Sequence, residues 1–473
     1  MSSHTSPVAS EYIAFVNPKG ELHFDGYPEV LELPPGPRGL KAYGFLGGGS
    51  PVRAFAFLER TAHEYGPVSL FRLFRQRICL VDDADLIRQI LVTDQQHFVR
   101  DTGATLLREL LGEGLLTSDE PAHLERRKIL QPAFHRMQVA AYADRMAVEA
   151  ERLAKSWKPE QVLDTGAEMR RVTLAIVGSA LFGVDFGSDI ERIAGILRRA
   201  VRRAALLSLP VILFEPLLAR WRQRRPAAPS LFFANEREEL RRIIDPILRK
   251  RETERGSDLF SLMLDAGSLG EPEIRNETIT MVLAGHETTA SALTWCLYLL
   301  ATRPEVQERM RAEVAGTGER PLTLDDIPAL RYSAMVFRET LRLYPPALAF
   351  GRRPIIDIEL GGYRIPAWTS VLVSPYITQR SSRYYDRPDE FVPERWETAN
   401  VPKFAWFPFG GGSKMCIGEA FANLEGVLLL GTLIRRWEFA KAGSESVNIA
   451  PGITLGQDRK VMIRVQPVNS CSA

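Results

Sequence analysis

Toward the C-terminus of this 473-residue chain, Phe409-Gly410-Gly411-Gly412-Ser413-Lys414-Met415-Cys416-Ile417-Gly418 runs directly into an apolar helical pattern. A cysteine in a glycine-rich loop at the mouth of a helix suits a thiolate better than a disulfide. The helix dipole and free backbone N–H groups favour negative sulfur there, which predicts a lowered thiol pKa. Glycines without Cβ let the backbone and a flat ligand approach the sulfur closely. Such a thiolate can be the axial ligand of haem iron, where it pushes electron density toward O–O cleavage. A phosphate loop would need Gly-x-x-x-x-Gly-Lys followed by Ser or Thr. Lys414 is followed by Met415, so that reading fails.

A second constellation lies upstream, in Met281-Val282-Leu283-Ala284-Gly285-His286-Glu287-Thr288-Thr289-Ala290. As plain helix this is costly: glycine loses about 1 kcal/mol relative to alanine, and the paired threonines add a smaller penalty. Threonine hydroxyls bond back to the preceding turn or let water open the ladder. An acid and an alcohol inside an apolar helix therefore predict a functional groove rather than packing alone. A zinc site of the His-Glu-x-x-His type needs a second histidine at 290, which is Ala290.

Three further pieces carry charge at helical spacing. Glu339 and Arg342 stand at i and i+3, and Arg395 follows in Pro393-Glu394-Arg395-Trp396. His123 and Arg127 stand one turn apart. Taken singly, each reads equally well as a solvated face.

The spacing Phe-x-x-Gly-x-x-x-Cys-x-Gly over Phe409, Gly412, Cys416 and Gly418 resembles the haem-binding signature of the cytochrome P-450 monooxygenases. The segments 123–127, 284–289, 339–342 and 393–396 precede it in that family's order, and the resemblance extends over roughly residues 34 to 470. One departure is Lys414, where the family usually has Arg or His: the charge survives but the bidentate fork does not. The resemblance implies a mainly α fold with a small β region, one large domain enclosing haem b between the 273–302 helix and the cysteine loop. It implies that Cys416 ligates the iron while Lys414, His123, Arg127 and Arg352 hold the propionates, with Arg353 the rival of Arg352. Phe409, Gly410 and Gly418 would shape the loop around the sulfur, and Ala284 with Gly285 would leave room for dioxygen. Thr288 would hold the dioxygen and its proton-donating water, and Glu287 would relay protons. Glu339, Arg342 and Arg395 would form a buried structural network.

The implied reaction inserts one oxygen atom of dioxygen into a C–H or C=C bond of an apolar substrate such as a fatty acid, terpenoid or steroid. Its two electrons would come from a separate ferredoxin or flavodoxin/reductase-type donor, docking at Arg126, Lys128, Lys403 and Lys414. Two alternatives stay open: a peroxide-driven haem-thiolate peroxygenase, against which the Glu287-Thr288 pair argues, and a non-catalytic haem-binding sensor.

The elements that must position these groups are mostly helical. Helical patterns cover 51–65 and dominate from about 84 to 350, including 273–302, stopped before Pro304. Alternation at 68–73 and 77–81 predicts a short β pair, and strand-like runs return at 355–360, 371–374 and 461–465. Residues 1–33 form an extension without an anchor helix, ahead of the proline-rich 33–39 stretch, and 34–473 form the body. Composition is that of a globular protein, 45% hydrophobic and 25% charged, and a net charge of +2 argues against a nucleic-acid partner. Cys79 and Cys296 lie in apolar runs and Cys471 is isolated, which predicts a reducing, cytoplasmic setting. No apolar run is long enough to span a membrane. A peripheral contact through the apolar 206–218 stretch is the remaining membrane option.

Overall fold

The computed structural model describes residues 15–16, 22–23, 31–74, 76–186, 189–200, 203–204, 206–207, 232–254, 256, 258–318, 320–398 and 400–468. Most of the 1–33 extension, Cys471 and the apolar 208–218 stretch lie outside the described residues.

The architecture is mainly α with a small β region, and its axis is helix α5, Glu271–Leu300. Pro272 in the first turn needs no donor, and Glu273 accepts from the backbone N–H of Gly270 at 2.9 Å, which caps the start. The helix ends before Pro304, which opens α6, Pro304–Ala315. Buried residues occur on every side of α5, as expected of a helix enclosed by others. Helix α4, Thr165–Leu181, lies against it: the Thr173 hydroxyl donates to the His286 carbonyl at 3.1 Å.

Gly285 is what lets α4 come so near. A Cβ there would stand 2.9 Å from Cγ2 of Val177. Gly285 thus serves helix packing, and Ala284 is the small residue beside it.

Helix α8, Glu419–Arg436, begins just past Cys416 and is buried along most of its length. It packs on α3, Arg136–Ser156, through Tyr142 and Phe421, and on α7, Arg331–Leu343, through Phe337 and Gly426. Glu425 of α8 meets the Thr289 hydroxyl of α5, so the helix that follows the cysteine and the helix that carries Thr288 are neighbours.

The β region is small. Strands β1 (Val68–Leu73) and β2 (Gln76–Val81) form the expected antiparallel hairpin just after α1, Pro51–Tyr65. β6 (Ser370–Val373) adds in parallel to β2, and β5 (Phe350–Pro354) and β3 (Phe98–Arg100) complete a five-stranded sheet. Antiparallel pairing of β5 with β3 sets Arg352 opposite Arg100. A second sheet joins β7 (Trp437–Lys441), β8 (Met462–Pro467) and β4 (Val162–Asp164). Cys79 and Cys296 are core residues, as their apolar neighbours suggested. Among the described residues, no helix is long and apolar enough to cross a membrane.

Candidate active site

The cysteine loop is a strapped backbone turn. Gly410 N–H donates to the Phe407 carbonyl and Cys416 N–H to the Phe409 carbonyl, each at 2.9 Å. Gly410 and Gly412 take φ of +72° and +69°, the left-handed region that costs other residues about 1–2 kcal/mol. At Gly412 the requirement is also steric: a Cβ would sit 1.7 Å from the Leu91 carbonyl oxygen. Gln95 secures the same turn by accepting from Ser413 N–H at 2.7 Å.

Cys416 is exposed, yet burial pushes its thiol up to about 11. Both hold if the side chain opens into a space enclosed by protein. Gly418 N–H bonds to the sulfur and Arg127 stands nearby, and both favour the thiolate. Burial outweighs them, so the expected lowering of the thiol pKa by the helix start is not what the protein alone achieves. Coordination to a metal ion would complete the ionisation, since it deprotonates a thiol outright.

Four nitrogen groups gather beside this loop. Lys414 Nζ lies 3.6 Å from both Asp119 and Glu120. His123 Nδ1 bonds to Glu120 at 3.0 Å. Arg100 donates to the Ser118 and Leu115 carbonyls at 2.8 and 3.0 Å. Arg352 is in the same group, since it opposes Arg100 in the sheet and its charge acts on both Arg100 and Lys414. Burial drives all four down, and for Arg100, His123 and Lys414 neighbouring positive charge adds to it. Arg100 falls to about 10 through burial and Arg352; His123 falls to about 4 through burial, Lys414 and Arg100. Lys414 and Arg352 are lowered too, chiefly by burial.

A crowd of largely buried basic groups, faced by the carboxylates of Asp101, Asp119 and Glu120, fits a ligand carrying carboxylates. An accessible sulfur inside the protein fits a metal at that ligand's centre. Haem, with its iron and two propionates, meets both demands.

Arg127 reaches the cysteine loop itself. Its Nη1 donates to the Met415 carbonyl at 2.7 Å, so it braces the cysteine loop from α2, Ala122–Leu130. Arg126 corrects the sequence reading. It is buried and bonds to Glu273 and Glu277, both at 3.2 Å, which removes it from any docking surface. Lys414, with a side chain only 8% exposed, drops out as well. Lys128 and Lys403 remain exposed.

On α5, Ala284, Gly285, Glu287 and Thr288 are partly exposed within an otherwise buried stretch. Thr288 donates back to the Ala284 carbonyl at 2.7 Å, as threonine in a helix does. The helix stays regular through this turn.

The ion network is fully formed. Glu339 and Arg342, both 0% exposed, pair as a fork with two 2.9 Å bonds. Arg395 Nε and Trp396 Nε1 both donate to Glu339, at 2.9 and 3.0 Å. Arg342 also reaches the Gln379 carbonyl at 2.8 Å, and the Gln379 side chain accepts from Phe407 N–H at 2.9 Å. The network is thereby wired to the start of the cysteine loop. Gln379 and Arg100 were missed from sequence: neither stands in a motif, and only the fold brings them to the site.

A family model, Cytochrome P450, matches residues 34–462. Cyclooctatin synthase from Streptomyces melanosporofaciens is 33% identical over 446 residues, covering 89% of this chain and 92% of the relative. Pentalenene oxygenase from Streptomyces avermitilis is 31% identical, covering 80% and 86%. Cyclooctat-9-en-7-ol 5-monooxygenase, also from S. melanosporofaciens, is 32% identical, covering 79% and 82%. The chain belongs to the cytochrome P450 family. It is accordingly an oxidoreductase, a haem-iron monooxygenase that takes a substrate, dioxygen and electrons from a redox partner.

Proposed function

We propose that this monooxygenase inserts one oxygen atom into a C–H or C=C bond of a terpenoid, with Cys416 as the iron ligand. The observation that carries the substrate class is the set of full-length relatives above, two of whose names state action on pentalenene and on cyclooctat-9-en-7-ol. Fatty acids and steroids rank behind it.

Haem b bound at Cys416 supplies the activation of dioxygen. The chain has no Cys-x-x-Cys-His stretch for covalent attachment, which favours the non-covalent haem b. Lys414, Arg100 and Arg352 would neutralise the propionates, with His123, its Nδ1 held on Glu120, beside them. Arg127, Phe409, Gly410 and Gly418 hold the loop backbone and aim the sulfur. Ala284 keeps the opposite wall low. Thr288 and Glu287 hold and pass the protons that the reduction of one oxygen atom to water requires. The electron donor is of the ferredoxin or flavodoxin type, steered by exposed Lys128 and Lys403.

The test is an optical titration of the ferric protein with pentalenene and, separately, a long-chain fatty acid, followed by turnover with a reducing partner. A saturable blue shift with pentalenene and a product gaining one oxygen atom from dioxygen support the reading. A shift and product with the fatty acid alone would overturn the substrate class. Turnover with peroxide but not with dioxygen and reductant would overturn the reaction.

A further inference from the structure

A cavity of about 430 Å³ opens between the 3₁₀ segment Gly39–Gly49 and helix α1. Tyr43, three glycines, Ala56, Arg53 and Arg60 line it, and it shares no residue with the Cys416 loop or the basic groups beside that loop. Its volume suits a small organic ligand.

The glycines let the 3₁₀ segment lie directly on α1. A Cβ at Gly44 would stand 2.8 Å from the Phe57 ring, and one at Gly47 2.7 Å from the Ala54 backbone nitrogen. Gly47 and Gly48 both take left-handed φ, +56° and +58°, which kinks the segment ahead of α1. Bare backbone therefore forms that side of the cavity. At Gly48 the one atom near an added Cβ is Arg53 Nη1, 3.9 Å away, so a guanidinium stands over the backbone.

Charge makes the cavity one-sided. Arg53 and Arg60 are exposed, and among the described residues neither forms an ion pair or a hydrogen bond. No acid lines the cavity among the described residues. Glu59, beside Arg60 in the chain, feels Arg380 more strongly than it feels Arg60. Positions seven apart in a helix fall within about 20° on one face and about 10 Å apart along it. Two arginine side chains can converge across that gap on a ligand with two linked anionic groups, each gripped by a guanidinium fork. Apolar groups stand at the rim. Tyr43 meets Phe74 edge-on at 5.2 Å, and Leu40, one 3₁₀ turn before Tyr43, is 90% exposed.

We propose that this cavity binds a ligand presenting two phosphate groups, in the simplest case an organic diphosphate. Arg53 and Arg60 hold one phosphate each, and Tyr43 and Leu40 receive the organic part. A dicarboxylate fits less well, because a phosphate monoester offers each guanidinium up to twice the charge. Neighbouring headgroups of a phospholipid surface present the same chemistry as a free diphosphate, and the test separates the two sources.

The test is calorimetric titration of the full-length, haem-loaded protein with inorganic pyrophosphate, with succinate at equal ionic strength as the comparison. Saturable one-to-one binding is expected, weakened at least about tenfold in Arg53→Ala and in Arg60→Ala. Arg53→Lys and Arg60→Lys, which keep the charge and lose the fork, should lie between. The haem absorption band should be the same in all of them, since both arginines are exposed. Sedimentation with vesicles of phosphatidylglycerol, and separately of phosphatidylcholine, completes the experiment.

Pyrophosphate binding places the two phosphates on a free ligand. Retention on phosphatidylglycerol but not phosphatidylcholine, without pyrophosphate binding, places them on a lipid surface. Either result carries the proposal when both alanine variants abolish it. Three results overturn it: succinate binding as tightly as pyrophosphate, binding that survives both alanine variants, and no binding of pyrophosphate or vesicles by the parent. None of them bears on Cys416 as the iron ligand.

Discussion

Arg127 Nη1 donates to the Met415 carbonyl at 2.7 Å, so α2 holds the residue directly before Cys416. A charged donor on a partly buried carbonyl is worth about 1.5–3 kcal/mol. Arg127→Ala should therefore loosen the loop and speed haem loss roughly 10- to 100-fold, measured as transfer to an excess of an apo-globin. Arg127→Lys, which keeps one donor, should lie between. Unchanged haem loss in Arg127→Ala would show that the brace is idle.

Gly412→Ala attacks the same loop from the backbone. It combines a left-handed φ with a Cβ driven into the Leu91 carbonyl, and backbone cannot step aside cheaply. The expected result is a protein with little bound haem, destabilised by about 3 kcal/mol in urea unfolding. Gly443→Ala is the control: it has ordinary φ and open space, so no measurable change is expected.

Breaking the Glu339–Arg342 pair by Glu339→Gln should cost about 3–5 kcal/mol, because it leaves a buried guanidinium unpaired. Buried pairs elsewhere can often be replaced by apolar residues without loss. Here the double change Glu339→Gln with Arg342→Met should not recover stability. Arg342 also serves the Gln379, Pro388 and Glu390 carbonyls, which would be orphaned. Recovery in the double variant would show that the pair, and not its backbone contacts, carries the stability.

His123 makes the protein acid-sensitive in a defined window. Its folded pKa of about 4 lies below the ordinary 6.5, so the unfolded chain takes the proton first as pH falls. Its contribution is complete above about 6.5 and is lost progressively toward about 4, at up to about 1.4 kcal/mol per pH unit. His123→Gln should flatten stability over that range. Bound propionates would offset the charges of Lys414 and Arg100, so the loaded protein should show a shallower slope than haem-free protein. Parallel pH profiles of parent and variant would remove His123 from this account.

What the sequence disclosed follows from how local each signal is. The cysteine loop, the β1–β2 hairpin and α5 are written in contiguous patterns of glycine, alternation and helical spacing. The structure finds α5 at Glu271–Leu300 against the expected 273–302. The predicted partners Glu339, Arg342 and Arg395 meet as expected because their order along the chain was itself diagnostic. Burial of charge was not legible. Arg126 and Lys414 look like surface cations until α5 and the 119–120 turn supply their carboxylates. Strands such as β3 and β5 were missed because three to five residues containing arginines give no alternation to read. The thiol pKa was misjudged in direction, since a sequence shows the helix start but not the desolvation that outweighs it.

The most direct test of the central claim is the absorption spectrum of the reduced protein under carbon monoxide, for the parent and for Cys416→Ser. Thiolate ligation by Cys416 predicts the red-shifted band for which the family is named in the parent, and its absence in the variant. A parent band at the imidazole position, or a red-shifted band that survives Cys416→Ser, would contradict the account.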